Sequence, residues 1–334
     1  MDVNNQPLVS VPVITYNSAK FVLETLESIK AQTYQNIELI ISDDCSTDNT
    51  VELCQQWVEQ NENRFVRTQI ITSEVNTGVS ANLNRAEATC QGEWVKPIAG
   101  DDLLKDDCVE NFVCYVKQHP DFIYVFGKIE VFTLSNEKRV KEFGDIFDYS
   151  VFQLDIEKQL ERLIFVSNFV PAVTCFYNRK KAIELGIIND ERIPMLEDWP
   201  KWINILEKGV KLEFMDKVVV EYRIGDGLST TKRFSSRYYE SLRLMHYYYL
   251  YPKWYEKDKD IAILRSVEDE MTVYNQLLEL EDKGGLGIVA ERDKLLLQNK
   301  YLSEQLYQRQ KSLSYRLGYF LLHPISTIIS KIKS

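Results

Sequence analysis

The chain has 334 residues and a formal net charge of −10, long enough for one large domain or two. The acidic balance excludes a protein that gathers phosphate backbones in a basic field, so no nucleic-acid partner is expected. Three histidines, and six cysteines without a C-x-x-C pair, exclude a zinc cluster and a disulfide framework, so the cysteines are expected as buried small hydrophobes. Met1 to Pro7 has no apolar leader core and no apolar run reaches the length of a membrane span, so a cytoplasmic protein is expected.

Leu8 to Tyr16 is β-branched and apolar, the pattern of a buried strand, although Pro12 within it predicts an edge position or a bulge. Asn17 and Ser18 offer caps for a helix to about Gln32, with Phe21, Val22, Leu26 and Ile29 on one face. Asn36 to Ser42 is a second strand, ending in Asp43-Asp44-Cys45-Ser46-Thr47-Asp48, and a helix bearing Val51, Cys54, Trp57 and Val58 follows. A third strand near Gln69 to Thr72 leads through the turn Asn76-Thr77-Gly78 into a helix from Val79 to Thr89. The fourth strand, Trp94 to Ala99, runs into Asp101-Asp102. Strand and helix alternate four times, so the expected fold is α/β: a doubly wound, mostly parallel sheet with helices on both faces.

Two of these strands end in paired aspartates, where open α/β sheets keep their ligand crevice. Adjacent carboxylates repel, and a hard divalent cation carrying phosphates relieves that repulsion. The plainer alternative is an acidic turn that caps the next helix.

Phe122 to Phe132 reads as a further strand, 136–150 as a loop, Ile156 to Phe165 as an amphipathic helix and Ala172 to Tyr177 as a short strand. Met195-Leu196-Glu197-Asp198-Trp199 enters a helix with Trp202, Ile203 and Leu206, and Lys211 to Tyr222 reads as a late strand pair closed by 223–229. The composition changes past Thr231, which places a domain boundary between 230 and 231. Beyond it come aromatic helical sequence and two charged helices split near Gly284-Gly285. Leu295, Leu302, Leu306 and Leu313 approach coiled-coil spacing, so self-association through 258–312 is considered. The weakly basic, amphipathic tail 314–334 suits either a membrane interface or docking on the protein's own helices.

Val9 to Asn17, Ile40 to Thr50, and Asn76-Thr77-Gly78 with Asn84, Gly92 and Asp101-Asp102 together resemble the family 2 glycosyltransferases of the GT-A fold, over about Val9 to Ser229. The resemblance implies inverting transfer from a nucleotide-diphosphate sugar, with UDP expected, to a glycan or lipid-linked saccharide acceptor in surface polysaccharide synthesis. It implies Mn²⁺ or Mg²⁺ as cofactor and a place on the inner face of the membrane. It also implies a nucleotide pocket lined by Thr15, Tyr16 and Asn17, with Asp43 on the base edge and Asp44 on the loop or ribose. Gly78 and Asn84 belong to the donor site, Asp101 to the donor sugar or ribose, and Asp102 to the metal. Glu197-Asp198 matches the Glu-Asp pair on the acceptor side, with Asp198 the general base, and Arg223 belongs to a late loop over the donor phosphates.

The sequence departs from the family pattern in four places. Ile14 stands where proline is frequent, Ala99 replaces the first acid of D-x-D, Leu83 replaces an arginine before Asn84, and Gly225 replaces a histidine. The last two remove cations that would hold a diphosphate. A rival reading is therefore a non-catalytic scaffold subunit of a polysaccharide-assembly complex. A dehydrogenase lacks its G-x-G-x-x-G here.

Overall fold

The computed structural model describes residues 6–135, 138–142, 147–224 and 236–257. Residues 1–250 form one compact unit and 251–334 a second, of which the helix Tyr251–Lys257 is described. The expectations for 225–230, for most of 231–334 and for the amphipathic tail therefore fall outside the described residues.

The first unit is built on one mixed sheet. Its parallel half contains β1 (Val9–Thr15), β2 (Ile37–Asp43), β3 (Arg67–Thr72), β4 (Trp94–Val95) and β5 (Ile98–Ala99), with β1 between β2 and the β4–β5 pair. The second half adds β6 (Leu103–Leu104), β7 (Tyr124–Ser135), β8 (Lys138–Glu142), β9 (Phe176–Asn178) and β10 (Leu212–Arg223). There β7 and β10 run parallel, while β6, β8 and β9 pair antiparallel with their neighbours. The late strand pair expected over Lys211 to Tyr222 is thus one long strand, and Ala172 to Thr174 is a 3-10 turn ahead of β9.

Periodicity explains the layers. Val9, Val11, Val13 of β1 and Ile37, Leu39, Ile41 of β2 share a core with Val22, Leu26 and Ile29 of α1 (Val22–Lys30), with Cys54 and Trp57 of α2 (Thr50–Asn61), and with α4 (Cys108–Gln118). Burying each such aliphatic side chain contributes roughly 1.5–3 kcal/mol. The opposite face carries α3 (Val79–Thr89) against β1 and β2, then α5 (Ile156–Phe165) packed on α7 (Asp198–Glu207). The edge of the Phe126 ring, on that face, meets Trp202 at 5.0 Å between centroids. A short α6 (Arg179–Glu184) follows β9. Of the six cysteines, all unpaired, four are buried, and Cys45 and Cys114 are partly so.

Pro12 was expected to push its strand to an edge, yet β1 is central. In a parallel strand, alternate residues turn both N–H and C=O to the same neighbour. The carbonyls of Ser10 and Ile14 accept from Lys96 and Gly100, so Pro12 faces that side too. The neighbouring strand is broken there by Lys96-Pro97, between β4 and β5. The missing N–H meets no acceptor because none is presented.

Asp101-Asp102 do not lead directly into a helix. After them come β6 and a turn, and α4 starts only at Cys108, so these aspartates do not cap it. Compactness also carries past 231. The helix α8 (Ser236–Met245) and a π-helical turn (His246–Leu250) belong to the first unit. The Ser241 hydroxyl accepts the Met195 N–H at 3.2 Å, and the Tyr249 hydroxyl donates to Asp190 at 2.8 Å. No helix among the described residues is long and apolar enough to cross a membrane.

Candidate active site

A cavity of about 890 Å³ opens at the carboxyl ends of β1, β2 and β5. Thr15, Tyr16, Asp44, Gly78, Asp101, Asp102, Glu197 and Asp198 line it, bringing together residues from motifs far apart in the chain. Asn17, Asp43, Asn84 and Arg223 do not line it. Each of these four is instead committed to the frame.

The two aspartates after β2 divide the labour differently from the expectation. Asp43 is 1 % exposed, and its carboxylate accepts from the Thr15 hydroxyl at 2.8 Å and from the Ser46 N–H and hydroxyl at 2.8 and 2.5 Å. This is an Asx turn, which consumes the acceptors a base edge would need. Asp44 instead reaches the cavity wall. It accepts from the Thr77 N–H and hydroxyl, from Gly78 N–H at 2.7 Å and from Arg85 at 3.0 Å. Burial alone would raise its pKa, but these donors together hold it below the usual carboxylate range. Gly78 sits at φ 97° and lets Pro194 pack close, since a Cβ there would lie 2.7 Å from the Pro194 carbonyl.

Asn17 turns away from the cavity to tie the loop after β2. Its Oδ1 accepts from the Thr47 N–H at 2.8 Å, and its own N–H donates to Ser46. Asn84 joins α3 to a distant loop through paired hydrogen bonds with Asn189. One turn of α3 presents Asn82 and Arg85 on a common face, toward Ser42 and Asp44. Asn82 lines the cavity and accepts from Ser42 at 2.6 Å, while Arg85 pairs with Asp44. The i, i+3 spacing of Asn82 and Arg85 was the available signal.

Asp101 and Asp102 are 6 % and 3 % exposed. Asp102 accepts the backbone N–H of Arg223 at 3.0 Å, and Arg223 Nε donates to the Asp101 carbonyl at 2.8 Å. The guanidinium lies between the Phe21 and Phe132 rings, 4.5 and 4.7 Å from their centroids. Arg223 was expected over donor phosphates; its place here is behind the aspartate turn, as a strut. Burial and the neighbouring Asp101 charge push the Asp102 carboxyl well above its usual range. Such a carboxyl regains its charge when a cation arrives. Among the described residues no group of three or more His, Cys, Asp or Glu side chains makes a ready metal cage. Asp101 and Asp102 supply oxygen donors, the kind a hard cation takes, and would leave its other positions to phosphate and water oxygens.

Across the cavity, Glu197 and Asp198 open α7. Burial, then the adjacent Asp198, push the Glu197 carboxyl up to about 8. Asp198 accepts from the Trp199 N–H and from the Asn168 amide, both at 2.7 Å.

Among the described residues the wall carries five acidic side chains, from Asp44, Asp101, Asp102, Glu197 and Asp198, and two basic ones, Lys201 and Arg237. Lys201 is paired with Glu87 at 3.1 Å. Arg237, from α8, donates to the Asn76 side chain and lies beside Gly78. No motif announced Arg237 or its neighbour Tyr238, both on the cavity wall, because they lie beyond the composition change at 231.

The model of Glycosyl transferase family 2 matches residues 10–186. The chain belongs to this family. Over 233 residues this glycosyltransferase is 26 % identical to TuaG of Bacillus subtilis, a protein named for teichuronic acid biosynthesis, covering 69 % of this chain and 84 % of that one. It is 27 % identical over 229 residues to WfaP of Escherichia coli, named a UDP-Glc:alpha-D-GlcNAc-diphosphoundecaprenol beta-1,3-glucosyltransferase, covering 68 % of this chain and 81 % of that one. Among solved structures, Staphylococcus aureus TarS 1-349 in complex with UDP-GlcNAc superposes with a TM-score of 0.57 at 18 % identity, covering 93 % of this chain and 92 % of that one. The mixed sheet and its helical layers are thus the GT-A-like fold.

Proposed function

We propose that this glycosyltransferase moves a sugar, with inversion, from a UDP-sugar to a hydroxyl of a glycan or lipid-linked saccharide. The observation that carries the reading is one cavity shared by Asp44, the Asp101-Asp102 turn and the Glu197-Asp198 pair. The names of the Escherichia coli relative and of the TarS complex, with a UDP-sugar donor in each, support the donor class.

In this reading Tyr16 and Asp44 bound the nucleotide at the ends of β1 and β2. Asp102 would hold a Mn²⁺ or Mg²⁺, with Asp101 toward the donor sugar or ribose; that ion would supply Lewis-acid neutralisation of the leaving diphosphate. Arg237 stands in for the cations absent at Leu83 and Gly225, facing the phosphates from α8. Asp198 accepts the proton of the attacking hydroxyl, and Glu197, protonated at neutral pH, lowers the charge beside it. The displacement is single, so no enzyme nucleophile is needed, and holding donor and acceptor in line supplies much of the rate. An acceptor carried at a membrane would be met by the amphipathic segment 314–334.

Thermal unfolding against a panel of nucleotide diphosphates, with and without Mn²⁺, tests this reading. A ligand that binds the native state raises Tm by mass action. Stabilisation by UDP that requires Mn²⁺ and disappears in Asp102→Asn supports both donor and metal. Stabilisation by a different nucleotide changes the donor. No response to any of them removes the donor site and leaves the scaffold reading in front.

A further inference from the structure

Asn168 lies between α5 and β9, outside every motif that marked the site, and shares the cavity wall with Asp198. Its Nδ2 donates to Asp198 Oδ2 at 2.7 Å. Its Oδ1 accepts the N–H of Val170 at 3.1 Å, so only the NH₂ end of the amide can face the carboxylate. The segment that presents it is anchored: Phe169 and Val170 are buried, and the Pro171 carbonyl accepts from both the Thr174 N–H and hydroxyl at 2.9 Å. The other oxygen of Asp198 is fixed by the Trp199 N–H at 2.7 Å. The carboxylate is thereby held at both oxygens by donors that cannot rotate away.

We propose that Asn168 is a positioning residue for Asp198, deciding that Asp198 and not Glu197 carries the negative charge of the pair. The proposal rests on the reading of Asp198 as the base. Two carboxyls adjacent at a helix start do not both ionise readily, and a donor on one of them selects which does. Asn168 is that donor, and it has no lone pair to offer in that direction. Several charged groups on the surrounding elements have partners of their own. Lys201, one turn along α7, is itself paired with Glu87 of α3. On α5, Glu157, Lys158 and Glu161 are exposed and Arg162 faces Asp148. On β10, Glu213 pairs with Lys211. His246 of the π-helical turn meets the Trp199 ring edge to face, at 6.1 Å between centroids.

The test is Asn168→Asp, which keeps the oxygen that accepts from Val170 and replaces only the donor to Asp198 by a second acceptor. Carboxyl ¹³C titration by NMR reads the outcome, with the Asp198 signal identified by its loss in Asp198→Asn. The Asp198 midpoint is expected to rise by about one pH unit or more in Asn168→Asp. The acid limb of UDP release from UDP-GlcNAc in water should move up with it. Asn168→Ala, a second variant should the first not fold, is expected to raise the midpoint less and to lower kcat with KM little changed. A midpoint within about 0.3 unit of the wild type in the folded variants overturns the proposal. The titration needs no turnover, so it judges Asn168 even if Asp198→Asn still transfers sugar, a result that would remove the base assignment alone.

Discussion

Replacing Arg223 by alanine separates two roles for this side chain, strut and phosphate ligand. As a strut it ties the end of β10 to the aspartate turn. Nε donates to the Asp101 carbonyl inside the protein, and a hydrogen bond from a charged donor contributes roughly 1.5–3 kcal/mol. The two ring contacts, at 4.5 and 4.7 Å, add about 1–2 kcal/mol between them. The pair with Glu24 adds little, since Glu24 is 42 % exposed and water screens it. Truncation also opens a cavity at a fully buried position, while removing a buried charge returns part of the loss. The net destabilisation is expected at about 3–5 kcal/mol, a drop in Tm on the order of 10 °C. Alanine keeps the backbone N–H that Asp102 accepts but loses the side-chain tie to the Asp101 carbonyl, so the aspartate turn loosens and Mn²⁺-dependent stabilisation by UDP should weaken as well. Urea unfolding and the thermal shift with UDP and Mn²⁺ measure both. Arg223→Lys keeps the charge but not the planar fork and should fall between. An unchanged unfolding midpoint with UDP affinity lost would refute the strut and return Arg223 to the donor phosphates.

The remaining expectations concern the same cavity and the tail. The folded-state pKa of Glu197 is raised to about 8, so the native state binds more protons than the unfolded one between about 4.5 and 8. The associated stability is full below that window and is lost as pH rises through 8, at a slope on the order of 1 kcal/mol per pH unit. Glu197→Gln should flatten this slope in urea unfolding series, and an equally steep variant would show that another group titrates. Gly78→Ala puts a Cβ 2.7 Å from Pro194 at φ 97° and should cost about 2 kcal/mol or more, with UDP binding weakened through Asp44; an unaltered melting curve would contradict the close approach. Arg237→Ala should raise KM for the UDP-sugar about tenfold while Tm moves little, and an unchanged KM would take Arg237 out of the donor site. Deleting 314–334 should release the protein from liposomes of anionic lipid, and equal binding by the shortened chain would place the contact elsewhere.

The sequence alone determined the local and repetitive features of this glycosyltransferase. Alternating apolar residues in Val9 to Thr15 and Ile37 to Asp43, helical spacing of Val22, Leu26 and Ile29, and aspartates at strand ends follow from short-range periodicity. They marked the sheet, its parallel half and both acidic turns. Resemblance carried by those turns also marked Glu197-Asp198, far along the chain, and the structure brings that pair into the same cavity. Tertiary structure alone decided that Asp44, and not Asp43, faces the cavity. Asp43 and Asp44 are neighbours in sequence, but a strand end points successive side chains in opposite directions, so one closes an Asx turn and the other reaches the wall. Pro12 could be placed in a central strand only once the break at Lys96-Pro97 was seen opposite it. Arg223, Arg85, Asn168 and Arg237 owe their roles to partners between 30 and 161 positions away in the chain. No periodicity encodes such distances; packing alone sets them.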